Sequence, residues 1–181
     1  WERAFGDTAD FRRAAGEHLF VWGDEAASYY AELAISSAVK EGGDEVRKAL
    51  ENLTADAWSH PAVAGVLAAM ETCVTEGFVL HGGSYLDAQA LWSAEQRALF
   101  YPSGSWIAGE MLDRTAAGFE MSVAPVPTLT AAPTLPLTAI HAQPTESFVV
   151  PKNAANPGGG LELLRVMLSR EVAGEFARAH L

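Results

Sequence analysis

Trp106 is the residue whose type and position most clearly suggest a chemical role. It follows the run Pro102-Ser103-Gly104-Ser105, which predicts a tight turn between a strand and a helix. Strand, turn and helix N-terminus in this order place Trp106 at the edge where open α/β sheets bind ligands. An indole there can cover the apolar face of a pyranose while polar neighbours bind its hydroxyls. Packing in the core at the strand end is the alternative role.

Other aromatic, hydroxyl and carboxylate side chains could share this site. Some flank the Gly104 turn or lie about one helical turn beyond Trp106, others follow an earlier predicted strand end, and His141 ends a later predicted strand. Each also has an ordinary structural alternative: core packing for the aromatic rings, helix capping for serine, a loop position for histidine, and solvent exposure or interaction with a helix dipole for the carboxylates. The candidate ligand-binding residues are, besides Trp106, Trp22, Glu25, Tyr29, Tyr101, Ser103, Glu110 and His141.

Enzyme signatures are weak. Glu110 and Asp113 could serve as the carboxylate pair of a carbohydrate-active hydrolase, but nothing in the sequence indicates that either has the raised pKa of a general acid. The run 103–105 is not a G-x-S-x-G elbow, and the glycines at 158–160 lack the Lys-Ser/Thr of a phosphate-binding loop. We therefore assign no catalytic residue and keep a hydrolase as the alternative.

Charge and composition exclude several other classes. The chain has 23 acidic and 12 basic residues and a net charge of −11, which would repel the phosphates of a nucleic acid. The five histidines show no metal-ligand spacing, so we expect neither a metal nor another cofactor. No apolar run approaches the ~20 residues of a transmembrane helix. The single cysteine, Cys73, lies in a helical pattern that predicts burial.

The periodicity of the chain predicts an α/β fold. Strands are predicted over 18–22, 96–101, 119–124, 137–141 and 147–150. Helices are predicted over 8–17, 24–42, 44–52, 61–77, 86–95 and 106–115, with two more after Asn156, the second capped by Ser169. Trp58 and Trp92 are predicted to pack in the interior. An apolar stripe on the fourth helix comprises Val63, Val66, Leu67, Met70, Cys73 and Val74.

Three segments share a pattern with a known family of proteins. They are ALFYPSGSWIAGEM (Ala98–Met111), SVAPVPTL (Ser122–Leu129) and FVVPKNAANPGGGLELLRVMLSREVAGEFA (Phe148–Ala177). They resemble the carbohydrate-binding solute receptors of ABC importers, which have a strand ending in Gly-x-Trp, a strand leading into Pro-x-Pro, and a strand with Pro-Lys and Asn-Pro before an amphipathic helix. Two further segments, HLFVWGDEAASYY and ALENLTADAWSHPAV, resemble the branch that takes N-acetylglucosamine and its β-linked disaccharide, chitobiose.

The resemblance implies a periplasmic-binding-protein-like fold in an incomplete chain. Residues 1–121 would form a helix-rich second lobe, 122–136 a hinge or crossing segment, and 137–181 the returning part of the first lobe. Family members are longer, so the returning part would lack sheet partners here and expose apolar surface.

The same resemblance implies a function. Without it, core packing would be the expected role of Trp22 and Tyr29, and with it His141 would lie on the returning segment that builds the opposite wall of the cleft. A saccharide would be captured between two lobes without catalysis, and a membrane permease would be the protein partner. The location would be extracytoplasmic, as a cell-surface lipoprotein or in the periplasm. A receptor for a non-sugar solute on the same scaffold is a further alternative, since fold does not fix the ligand.

Overall fold

A small parallel sheet organises the first two thirds of the chain. The structure, a computed structural model, describes residue 1 and residues 18–142 and 147–180. The sheet contains β1 (His18–Trp22), β2 (Val79–His81) and β3 (Ala98–Phe100) in the order β2-β1-β3. Phe20 pairs with Val79 on one side and with Phe100 on the other. Because both pairings are parallel, the carboxyl ends of all three strands meet at one edge. The predicted mixed α/β class is confirmed for the described residues.

Six helices surround and follow this sheet in the described part of the chain. Several begin where the sequence predicts: Pro61 is the first residue of its helix, and Ser84, Asn156 and Ser169 each accept a backbone N–H at a helix start. The predicted helix over 8–17 lies outside the described residues. The helices are α1 (Ala27–Glu51), α2 (Pro61–Thr75), α3 (Tyr85–Ser93), α4 (Ile107–Glu110), α5 (Pro157–Met167) and α6 (Arg170–His180).

None of the helices in the described residues is both long enough and apolar enough to cross a bilayer.

Two predicted helix boundaries are wrong. The predicted break between residues 42 and 44 is a kink inside α1, where Gly43 has φ 77° and the helix continues beyond it. Only glycine adopts that backbone conformation at little cost, and a Cβ there would also lie 2.6 Å from Thr134 Cγ2. The predicted helix over 106–115 is longer than the observed one, because α4 ends at Glu110 and turns follow it.

β1 contributes side chains to two apolar clusters of the core. Leu19 and Phe20 pack with residues of α1 and α2, whereas Val21 packs with Ala88 and Trp92 of α3. Because these three successive residues are all buried, both faces of β1 are covered, as its apolar run from Leu19 to Trp22 requires.

The predictions of which side chains are buried are only partly confirmed. The predicted interior position of Trp92 is confirmed, while that of Trp58 is wrong because its ring is 54% exposed. On α2, the buried stripe is narrower than predicted: Leu67 and Val74 are 45% and 63% exposed. The helix packs against α1 and the sheet along one side, so only the residues at the centre of its stripe are covered.

The segments predicted as later strands are irregular. Residues 119–124, 137–141 and the described residues 147–150 form no ladder in the described part of the chain, where no strand lies beside them. An alternating pattern requires such a neighbouring strand if it is to become a strand itself.

Residues 126–137 lie along α1, and side chains of α1 form hydrogen bonds with their backbone groups. Ser37 Oγ donates to Pro127 O (2.7 Å), Lys40 Nζ donates to Val126 O (2.7 Å), and Glu41 Oε2 accepts from Leu129 N (3.0 Å).

The last two helices keep apolar side chains at the surface. No residue of α5 is buried, although α5 and α6 contact each other. The sequence leads us to expect exposed apolar surface in this segment, and the structure has it. The exposed apolar residues are Leu161, Leu163, Val166, Met167, Leu168 and Phe176.

Cys73 is predicted to be chemically inert in the folded protein. Its side chain is fully buried, and burial raises the pKa of its thiol from 9.0 to about 11. Because the thiolate is the nucleophile, both effects suppress its reaction. We expect a thiol-reactive dye to label the protein near neutral pH only as fast as denaturant unfolds it. Complete labelling within seconds of mixing, without denaturant, would contradict this assignment.

Candidate functional site

A cavity of about 210 Å³ lies at the carboxyl edge of the sheet. Each strand contributes to it through the loop and helix that follow, which is the usual place for ligands in open α/β sheets. The described residues that line it are aromatic, hydroxyl-bearing, amide or carboxylate side chains, with one alanine. They are Glu25, Ala26, Tyr29, Tyr85, Gln89, Tyr101, Ser103, Trp106 and Glu110.

The loops after β1 and β2 pack tightly against each other and fix one side of the cavity. Gly23 has an extended backbone, and a Cβ there would lie 2.6 Å from Tyr85 Cα and 2.8 Å from Ser84 O. Glu25 Oε2 accepts a hydrogen bond from Tyr85 N (2.9 Å), and Asp24 N donates to Gly83 O (2.7 Å). The close approach positions Glu25 and Tyr85 relative to each other.

The turn after β3 places Trp106 over Gly104. A Cβ on Gly104 would lie 1.9 Å from Trp106 Cζ3, so the indole occupies the space that a side chain would fill. The ring centroids of Trp106 and Tyr29 are 5.9 Å apart with an interplanar angle of 49°. Trp106 is 51% exposed, and its free surface is therefore available to a ligand. Behind it, Tyr101 stacks on Trp92 at 5.7 Å.

Gln89 and Glu110 join the helices on either side of the cavity. Gln89 is 2% exposed, and its Nε2 donates to Glu110 Oε2 (3.0 Å). Its Oε1 is buried and has no hydrogen-bond partner among the described residues. A buried acceptor without a donor costs free energy, and such groups in native structures are usually bonded to protein or to ordered water.

Two of the phenols that line the cavity, Tyr29 and Tyr101, stay protonated at physiological pH because their pKa values are raised. Burial raises the pKa of Tyr101, the charge of Glu110 raises it further, and a hydrogen bond from Gln89 opposes these effects. Burial also raises the pKa of Tyr29, with added contributions from the charges of Glu32 and Glu110. Neutral phenols can both donate and accept hydrogen bonds, as binding to sugar hydroxyls requires.

The structure brings six of the eight candidate residues together around the cavity. Trp22 lies beside it, in a crevice that also contacts Tyr29 and Tyr101, and its ring is 5.0 Å from that of His81. His141 is exposed and does not line the cavity. A ligand-binding role for each of these residues remains a prediction. The six that line the cavity are Glu25, Tyr29, Tyr101, Ser103, Trp106 and Glu110.

Besides Ala26, sequence reasoning missed two residues that line the cavity and the strand that positions them. Tyr85 and Gln89 lie on α3, directly after β2. With only three residues, β2 is too short to show a periodic pattern, and the loop after it was therefore not predicted to follow a strand. The usable signal is Phe78-Val79-Leu80 before Gly82-Gly83, an apolar run ending in glycines.

The described residues give little support to a hydrolase site or a metal site at this cavity. Asp113, the second carboxylate of the hydrolase alternative, is not among the described residues that line the cavity. No group of three or more His, Cys, Asp or Glu side chains in the described residues could hold a metal ion.

Comparison with known proteins gives one informative relative. The chain is 50% identical over 184 aligned residues to the Diacetylchitobiose binding protein NgcE of Streptomyces coelicolor (strain ATCC BAA-471 / A3(2) / M145). The alignment covers 100% of this chain and 39% of that protein, so the chain spans about two fifths of the length of its relative. No family model and no solved structure matches the chain. The predicted resemblance to a carbohydrate-binding protein is confirmed by this relationship.

Proposed function

We propose that this chain forms the ligand-binding wall of a saccharide receptor. The proposal rests in part on its relationship to a diacetylchitobiose binding protein, with which the chain aligns over all of its own length. The receptor binds its ligand without transforming it and delivers it to the permease of an ABC importer outside the cytoplasm. The observation that carries this proposal is the cavity at the carboxyl edge of the sheet. Its lining combines the aromatic faces and hydrogen-bonding groups that a sugar ring requires.

The geometry of the cavity supports one sugar ring as the occupant. At about 210 Å³ it is smaller than the ~300–1,000 Å³ of sites that enclose a whole drug-sized ligand. The half-exposed Trp106 offers an apolar face at one side, and Tyr29 stands beside it at an angle. Carboxylates and phenols around these rings can bind the equatorial hydroxyls. A disaccharide would place its second ring beyond this wall.

A second wall completes the site in this proposal. Residues 1–121 form one lobe of a periplasmic-binding-protein-like receptor, 122–136 the hinge or crossing segment, and 137–181 part of the other lobe. Closure is favoured by ligand because only the closed form contacts it from both sides. The apolar side chains exposed on α5 support this arrangement, since they are suited to packing against the rest of that lobe. An anchor as a lipoprotein is part of the same proposal.

Replacing Trp106 with alanine tests the proposed site. A tryptophan buries ~200 Å², and about half of this ring is available, so stacking of a sugar would cover ~100 Å² and contribute about 2 kcal/mol. We expect the Kd of the full-length protein for diacetylchitobiose to rise roughly thirtyfold in titration calorimetry.

Trp58→Ala provides a matched control for this experiment. Trp58 is 54% exposed, close to the 51% of Trp106, but it does not line the cavity. The Kd of this variant should stay within about twofold of the parent. Equal affinities for the Trp106 and Trp58 variants, with both proteins folded by circular dichroism, would show that the sugar does not stack on Trp106.

A further inference from the structure

The cavity carries uncompensated negative charge. Glu25 and Glu110 both line it, and its described lining includes no lysine, arginine or histidine. Each carboxylate is bound by a neutral donor: Tyr85 N donates to Glu25 and Gln89 Nε2 donates to Glu110. Neither has an ion-pair partner among the described residues. Glu25 and Glu110 are both exposed, and two carboxylates in one cavity without a basic side chain in its described lining favour a ligand with positive charge.

Its other groups are suited to the same kind of ligand. Four aromatic rings line the cavity, and their faces attract a cation within about 6 Å of the ring centroid. Gln89 is buried, and its Oε1 is an acceptor without a donor. The negative field of Glu110 extends to two of the phenols, since it contributes to the raised pKa of both Tyr29 and Tyr101.

The chemistry of the lining distinguishes between kinds of cation. Among the described residues, no group of three or more His, Cys, Asp or Glu side chains could hold a metal ion. A primary ammonium group has three N–H donors, and the carboxylates of Glu25 and Glu110 together offer four acceptor oxygens, of which one on each already accepts a hydrogen bond from the protein. The aromatic rings and phenol groups can contact an uncharged sugar ring to which the ammonium group is attached.

We propose that this cavity binds the protonated amino group of a 2-amino sugar, so that the receptor takes deacetylated as well as N-acetylated saccharides. This inference rests on the proposed function and names a second ligand class for the same site. The ammonium group donates to the carboxylates and lies against the aromatic rings, while the sugar ring stacks on Trp106. A neutral acetamido group occupies the same position with a single N–H donor.

Calorimetry with three disaccharides tests this inference in the full-length protein. The ligands are fully deacetylated chitobiose, diacetylchitobiose and cellobiose, which carry an ammonium, an acetamido and a hydroxyl group at the second carbon. At a pH where the amine is protonated, we expect the deacetylated disaccharide to bind more tightly than cellobiose. Its Kd should rise severalfold between about 50 mM and about 500 mM salt, whereas that of cellobiose should change little.

Glu110→Gln tests the charge, because glutamine keeps the shape and an acceptor for Gln89 Nε2. The ratio of the Kd for diacetylchitobiose to the Kd for the deacetylated disaccharide should fall about tenfold in this variant. Glu45→Gln is the control, since Glu45 is an exposed carboxylate on α1 that does not line the cavity. It removes the same charge from the protein and should leave the ratio unchanged.

The outcomes separate the two proposals. Binding of diacetylchitobiose without binding of the deacetylated disaccharide overturns the amine site and leaves the saccharide receptor intact. An equal ratio in the Glu110 and Glu45 variants overturns it as well. Failure of all three disaccharides to bind the folded protein overturns the proposed function and, with it, the inference.

Discussion

Gly23→Ala is expected to lower the free energy of unfolding by about 3 kcal/mol, the upper part of the range for overpacked sites. The backbone of Gly23 is extended, with φ −109° and ψ 157°, so any residue could adopt it. The cost is steric. The added Cβ would lie 2.6 Å from Tyr85 Cα and 2.7 Å from Tyr85 N, and backbone atoms cannot rotate away as a flexible side chain does.

The same substitution should also distort the cavity. Relief of the clash requires the loop after β2 to move away from the loop after β1, which breaks the hydrogen bond from Tyr85 N to Glu25. Urea denaturation measures the stability change, and calorimetry measures the loss of saccharide affinity that the proposed function predicts.

Gly174→Ala is the matched control for this prediction. Gly174 lies inside α6, and a Cβ there would meet only the guanidinium end of Arg178 at 3.6 Å. Alanine should stabilise this helix by up to about 1 kcal/mol. A Gly23→Ala protein within about 0.5 kcal/mol of the parent would show that the two loops are not packed as the structure has them.

Lys40→Met should lower the free energy of unfolding by about 3 kcal/mol, because two hydrogen bonds from a charged donor are lost at once. Lys40 is 4% exposed, and its Nζ donates to Val126 O (2.7 Å) and to Leu137 O. Methionine keeps the apolar stem but leaves both carbonyl groups without this donor. The segment between them should then detach from α1 more readily.

Hydrogen exchange locates the effect and urea denaturation measures its size. The backbone amides of Thr134 and Leu135, which donate to carbonyl oxygens of α1, should exchange faster in the Lys40 variant. Lys48→Met is the control on the same helix. Lys48 is 64% exposed in an ion pair with Asp44, and such pairs contribute less than about 1 kcal/mol. Equal stability losses in the two variants would contradict the role given to Lys40.

The candidate site was largely accessible from the sequence because its residues follow strand ends. Trp106, Tyr101 and Ser103 surround one glycine turn, and Glu25 and Tyr29 follow a strand whose bounds were predicted correctly. Their assembly into one cavity follows from parallel pairing, which brings the ends of β1 and β3 to one edge. Tyr85 and Gln89 escaped prediction because the strand before them is too short to show a pattern.

Amino-acid order by itself determined the local elements of this protein: the strand that ends at Trp22, the proline and serine residues that begin helices, and the buried Cys73 of α2. These depend on neighbours within a few residues along the chain, through backbone geometry and helical spacing.

Tertiary structure alone decided which apolar residues lie in the core and which alternating segments become strands. Trp58 is exposed and residues 119–124 are irregular, because burial and strand pairing both require a partner from elsewhere in the chain. The charge of the cavity was decided in the same way. Glu25 and Glu110 are 85 positions apart, and only the parallel sheet brings them to one cavity without a basic residue in its described lining.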